Sequence, residues 1–129
     1  MRRLWLWGPV AIFMVANFYE SSMTNPPLPG GMSDKLAHAS GYVVLGALLA
    51  RAVAKGLFRP LSAVAACVSV AIAVLYGASD ELHQYFVPGR SADLRDLLAD
   101  AVGAVVGVGV VWACGILWPR VARRHDARL

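Results

Sequence analysis

Two histidines and a set of carboxylates stand out in an otherwise apolar chain, because they are residues that move protons, hold ions or grip charged ligands. Asp34 and His38 are four residues apart, a spacing that puts both on one helical face, and Tyr42 continues it. On that face Asp34 can orient the His38 imidazole, leaving it for proton transfer or ligand binding. Glu81 and His83 supply a second acid/base pair, in a run that also carries Tyr76, Asp80 and Gln84. Arg90, which follows Pro88–Gly89, suits a phosphate or carboxylate gripped by two parallel hydrogen bonds. Asp93, Asp96, Asp100, Gly103 and Gly107 then recur at intervals of three and four, which makes one helical stripe. Asp34, His38, Glu81 and His83 are the candidate catalytic groups. Tyr42, Tyr76, Asp80, Gln84, Arg90, Asp93 and Asp96 are the candidate ligand-binding groups. Ser21, Ser22 and Ser40 add hydroxyls, none of which spacing singles out.

The same set has a plainer reading. Asp80 and Glu81 can be a solvated helix end, Arg90 the partner of a nearby acid, and Asp93 a helix cap. A His and carboxylate set also suits a divalent metal. No local ligand motif of the His-Glu-x-x-His kind is present, so neither a metal nor another cofactor is expected. Cys67 and Cys114 lie in separate apolar blocks and read as small apolar fillers.

The elements that must carry these groups are apolar helices. Of 129 residues, 58% are apolar and 16% charged, and the mean hydropathy is +0.58. A soluble domain carries about a quarter charged residues. The apolar residues gather in four blocks, each close to the ~20 residues that cross a bilayer. Expected helices cover about 4–19, 36–54, 61–85 and 92–118, in one membrane domain over 1–129. Pro26, Pro27, Pro29, Gly30 and Gly31 break the chain after the first block, and Ser33 or Asp34 caps the second helix. Pro88–Gly89 ends the third, and Pro119 follows the fourth. This is an all-α membrane protein, a compact bundle of four transmembrane helices. An extracellular disulfide scaffold, a disordered chain and an ordinary cytosolic enzyme are excluded.

Charge sets the expected orientation. Arg2, Arg3, Arg51, Lys55, Arg59, Arg120, Arg123, Arg124 and Arg128 fall on one side of such a bundle, against Lys35, Arg90 and Arg95 on the other. The richer side is expected to be cytoplasmic, with both termini in it. These basic residues flank apolar blocks rather than gathering with aromatics on one face, which argues against nucleic acid. The acids invert the bias: all but Asp126 lie toward the outer side. An ionised group at mid-bilayer costs about 2.5–3.5 kcal/mol on insertion scales, so such groups are expected to face the bundle or a wet cleft.

Together these residues resemble the VanZ-like family of small bacterial integral membrane proteins. The resemblance rests on Ser21–Ser22, on Asp34-Lys35-x-x-His38-x-x-x-Tyr42, and most on Tyr76-Gly77-x-x-Asp80-Glu81-x-His83-Gln84-x-Phe86-x-Pro88-Gly89-Arg90. Asp93, Asp96, Gly103 and Gly107 close the pattern, which covers about 4–118. Asp100 stands where many relatives are expected to have Asn, which adds negative charge to the pocket. The resemblance implies a role in the cell envelope, the family being named for a protein associated with teicoplanin resistance.

Three functions remain open at this point. One is an enzyme in the bacterial cytoplasmic (inner) membrane, hydrolysing or transferring a headgroup on an envelope lipid, glycolipid or cell-wall intermediate at the outer face. Another is a non-enzymatic envelope or glycopeptide (teicoplanin) resistance protein that binds or masks a surface ligand. The least favoured is an ion-coupled transporter, since the inner halves of the helices lack a matching polar route. Membrane lipids or a lipid-linked envelope precursor are the expected partners. Gly103 and Gly107 suit close helix packing, within the chain or in a homo-oligomer.

Overall fold

The computed structural model describes residues 1–26 and 29–126. Pro27 of the expected linker and Arg128 of the charge count lie outside them. Four helices follow in order: α1 (Arg2–Ser21), α2 (Asp34–Val53), α3 (Ala63–Tyr85) and α4 (Leu94–Asp126). No strand occurs among the described residues. Three helices, α2, α3 and the Leu94–Trp118 part of α4, are long and apolar enough to cross a membrane. Here α1 differs from expectation. It is as long as α2, but Trp5, Trp7, Pro9, Asn17, Tyr19 and Glu20 dilute its apolar run.

Local chemistry explains the boundaries. Ser33 caps α2 by accepting the Leu36 amide at 3.3 Å, and Ser62 caps α3 by accepting that of Ala65 at 3.1 Å. Asp34 thus falls in the first turn of α2, where the positive end of the helix dipole favours a carboxylate. The segment before it makes one tight turn at Pro29–Gly31, left-handed at Gly30 and Gly31, where glycine is favoured. At the other end α4 runs past Pro119. Proline removes one amide from the ladder, yet its fixed φ fits a helix, and the backbone continues to Asp126.

The most extensive interface is that between α2 and α4. At three glycines the two backbones come into direct contact. A Cβ on Gly46 would lie 2.5 Å from the Ala104 carbonyl oxygen, while one on Gly103 would meet the Ala39 carbonyl and one on Gly107 that of Val43. Lipid is as apolar as leucine, so in a bilayer no hydrophobic force pulls helices together. Close backbone packing does that work, and small residues permit it. Tyr42, Leu45 and Leu49 of α2 and Ala104 of α4 lie in one buried cluster with Leu6 and Val10 of α1 and Ala73 of α3. The outward faces stay apolar: Ile12, Val64, Leu75 and Val102 are all well exposed. That pattern, apolar outside and polar groups within, belongs to a membrane protein.

The helices alternate in direction, so basic and acidic residues separate to opposite ends. At one end Arg2 donates to the Lys55 carbonyl and Arg51 to that of Trp5, its guanidinium 5.9 Å from the Trp5 ring centre. The buried polar residues, Ser69 aside, collect at the other. Replacing Gly107 with Leu should destabilise the fold by about 1–3 kcal/mol or more, because the new side chain meets backbone that cannot give way. Gly109, where a Cβ meets nothing, is the control. Thermal unfolding in detergent should show Gly107→Leu lowered and Gly109→Ala unchanged or slightly raised.

Candidate functional site

At the acidic end the C-terminal turns of α1 and α3 meet the N-terminal turns of α2 and α4. The turn Val87–Arg90 closes α3: the Arg90 amide bonds the Val87 carbonyl at 3.0 Å, with Pro88 second and Gly89 third at φ 81°. That is a type II turn, whose third position favours glycine. Thr24, beyond α1, donates to the Pro88 carbonyl at 3.0 Å and pins this turn against the linker.

Two polar groups form there. The first is centred on Asp80, which is 3% exposed. Its carboxylate accepts Ser21 Oγ at 2.6 Å, Asn17 Nδ2 at 3.4 Å and Gln84 Nε2 at 3.2 Å. Gln84 Oε1 in turn accepts Arg90 Nη2 at 2.6 Å, which holds the guanidinium in place. Tyr76 donates to the Met14 carbonyl at 2.6 Å, tying α3 to α1. The second group joins α2, α3 and α4. His38 Nδ1 lies 2.9 Å from Asp100 Oδ1, and Asp100 is wholly buried. Glu81 Oε2 accepts the Asp93 amide at 2.8 Å. Lys35 reaches Asp96 at 3.0 Å and Asp93 at 3.3 Å. The Arg95 amide, and after it the Lys35 ammonium, hold the Asp93 carboxyl below the usual carboxylate range.

A cleft of about 310 Å³ opens between α1, α2 and α3. Of the expected site residues, Asp34, His38, Asp80, Gln84 and Arg90 line it, joined by Asn17, Glu20 and the hydroxyl residues Ser21 and Ser40. Tyr42, Tyr76, Glu81, His83, Asp93 and Asp96 do not. Tyr42 is buried, and its hydroxyl has no hydrogen-bond partner among the described residues. The pairings also differ from those expected. His38 is bonded by Asp100 of another helix, not by Asp34 four residues before it. Glu81 and His83 part company: Glu81 turns toward His38 and Asp100, while His83 stacks on Phe18 at 4.3 Å and meets Ser22 Oγ at 2.9 Å. Ser22 has one proton, and the Phe18 carbonyl at 2.7 Å is its nearer acceptor, so His83 is placed to steady the end of α1 rather than to activate that hydroxyl.

Two overlapping triplets, Asp34–His38–Asp96 and His38–Glu81–Asp100, bring one ligand atom from each residue within 4.8 Å of the others. Either could hold a metal ion. Asn17 is the residue sequence reasoning missed, and its one signal is that it is the only amide side chain in the first apolar block. Asp100, a departure from the family pattern in sequence, belongs to the site as the partner of His38.

Fold and site together define a class: an all-helical membrane protein with a polar cleft between α1, α2 and α3 at its acidic end. A family model for VanZ/LLP1 matches residues 7–118, and the chain belongs to that family. No curated protein and no solved structure matches it.

Asp80 joins three donors, of which Ser21 Oγ and Asn17 Nδ2 have second acceptors in the Phe18 carbonyl at 3.1 Å and the Tyr76 hydroxyl at 3.5 Å, so its removal strands Gln84 Nε2. Asp80→Ala should cost about 1–3 kcal/mol of stability, the penalty for a buried polar group left unpaired. Ser40→Ala should cost nothing measurable, since that hydroxyl only returns to the Ala37 carbonyl of its own helix. Thermal unfolding of the two purified variants in one detergent checks the contrast.

Proposed function

We propose that the chain crosses the bacterial cytoplasmic membrane four times with both termini inside, and that its acidic end acts at the outer face on a lipid-linked envelope ligand. The ligand class is an envelope lipid, glycolipid or cell-wall intermediate, and the action is hydrolysis or transfer of its headgroup. The bias of Lys and Arg supports the orientation, since Arg2, Arg51, Lys55 and Arg59 sit at the end remote from the cleft. Trp5 and Trp7 at one end of α1 and Tyr19 at the other suit the two interfaces of a fourth crossing.

The observation that carries the activity is the His38–Asp100 pair on the wall of a cleft that Arg90 also lines. A buried carboxylate behind an imidazole fixes its orientation and stabilises its protonated form, as a general base requires. Arg90, steadied by Gln84, is a cationic group for a phosphate or carboxylate. Glu20 and Asp34 make the lining mixed in charge, which suits a headgroup presenting hydroxyls or an amine beside its anionic group.

A second reading is a non-catalytic protein that binds or masks a surface ligand, glycopeptide (teicoplanin) resistance included. The closed Asn17–Ser21–Asp80–Gln84 network favours it, because those groups spend their hydrogen bonds on one another. Ion-coupled transport fits less well: below the cleft Leu45 and Leu49 of α2 cluster with Ala104 of α4, and Ala50 of α2 with Val108 and Val111 of α4, apolar groups throughout.

Comparative mass spectrometry of envelope lipids and wall precursors separates the readings. Cells would carry wild type, His38→Gln or Arg90→Gln at matched membrane levels. Turnover predicts a species altered by wild type and restored in His38→Gln, with activity down roughly a hundredfold or more. Unchanged profiles with direct ligand binding by the purified chain would favour masking. Unchanged profiles and no binding would contradict both.

A further inference from the structure

The corner where α2, α3 and α4 meet has more negative charge than its neighbours neutralise. Glu81 and Asp100 are 6% and 0% exposed, and the group that faces both is the single imidazole of His38. Lys35 is committed to Asp93 and Asp96, and Arg90 to Gln84. Two buried carboxylates cost free energy unless they are paired, protonated or bound to a cation.

We propose that this corner binds a divalent cation through an imidazole nitrogen of His38 and one carboxylate oxygen each from Glu81 and Asp100. The three ligand atoms already lie within 4.8 Å of one another. Metal–ligand bonds of about 2.0–2.2 Å place tetrahedral ligands roughly 3.4 Å apart, so a small side-chain adjustment closes the set. Each carboxylate has one oxygen held and one left over. Glu81 Oε2 takes the Asp93 amide and Asp100 Oδ1 meets His38, whereas Glu81 Oε1 and Asp100 Oδ2 are shielded from solvent and have no partner among the described residues. Glu81 thus has one oxygen fixed by a donor outside the set and the other left for an ion, the usual arrangement of a carboxylate ligand, while Asp100 keeps Oδ2 beside its bond to His38.

An independent observation comes from outside the acids. The Tyr42 hydroxyl is also buried and unpartnered, and it lies with Asp100 Oδ2 against Gly77. A Cβ on Gly77 would sit 2.8 Å from that oxygen and 3.2 Å from the hydroxyl, so the missing side chain keeps the space open. Tyr42 can therefore donate to a liganding carboxylate or to a water on the ion. One nitrogen and two oxygens suit Zn²⁺ or Mn²⁺ better than Mg²⁺ or Ca²⁺, which prefer oxygen alone. The overlapping triplet Asp34–His38–Asp96 is the weaker candidate, because Lys35 already engages Asp96.

With an ion bound, His38 is a ligand, so the general-base role proposed for it above belongs to the ion-free chain alone. The inference stands apart from the identity of whatever fills the cleft, and its failure would leave the lipid reading to be judged by lipid chemistry alone. The test uses the purified full chain in detergent, stripped with a chelator and titrated with MnCl₂ or ZnCl₂ by calorimetry. Wild type should bind one ion per chain. Asp100→Asn and Glu81→Gln should bind roughly tenfold more weakly or worse, and Gly109→Ala as wild type does. Electron spin echo spectra of the Mn²⁺-loaded wild type should show one imidazole nitrogen, lost in His38→Gln, and the wild-type spectrum decides even if a variant fails to fold. Absence of stoichiometric binding of both ions to wild type would overturn the proposal. So would binding indifferent to all three substitutions, or a wild-type spectrum without the nitrogen.

Discussion

The backbone contact of α2 with α4 at Gly46, Gly103 and Gly107 sets the geometry of the acidic end. Gly103 meets the Ala39 carbonyl and Gly107 that of Val43, so one glycine stripe runs along one face of α2. This contact fixes register as well as distance. Ala39 follows His38, and Gly103 lies one turn after Asp100, so seating the glycine on the carbonyl brings the imidazole onto the carboxylate. A bulkier residue at either glycine would part the helices and the His38–Asp100 pair with them. Packing and chemistry are thus coupled through one interface.

The two remaining helices complete the site in different ways. The last turns of α3 present Asp80 and Gln84 toward α1 and Glu81 toward α2 and α4, so one helix end supplies both polar groups. Through Asn17 and Ser21, α1 closes one wall of the cleft and satisfies Asp80. That carboxylate is fully engaged, in contrast with Glu81 and Asp100, each of which keeps an oxygen without a partner among the described residues. The contrast separates a group that holds the fold from groups placed to meet something else.

Much of this was legible in the sequence. Apolar blocks, proline and glycine breaks and serine caps marked the four helices to within a few residues, except where α4 continues past Pro119. The gathering of acids and histidines at one end followed from the antiparallel order of those blocks. Pairings were not legible, for a physical reason. Spacing of three or four residues reports neighbours on one helix, and so suggested Asp34 as the partner of His38. The partner actually bonded lies on α4, and only the glycine register, which one sequence does not display, selects it. Glu81 and His83 show the same limit, since residues two apart point to different sides of a helix. The His38–Glu81–Asp100 triplet leaves no local motif because its three residues come from three helices. Trp, Tyr and Pro in α1 suit an interface but lower its apolarity, so the fourth crossing rests on charge bias rather than on composition.

The account depends most on which side of the membrane the acidic end faces. Labelling of single-cysteine variants with a membrane-impermeant maleimide in intact cells reads that directly, after Cys67 and Cys114 are replaced by alanine. Glu20→Cys marks the mouth of the cleft, and Leu57→Cys marks the exposed turn between α2 and α3 at the opposite end. The outward-facing account predicts that Glu20→Cys is labelled in intact cells and Leu57→Cys only after lysis. The reverse pattern would place the cleft in the cytoplasm and contradict an action on the outer envelope.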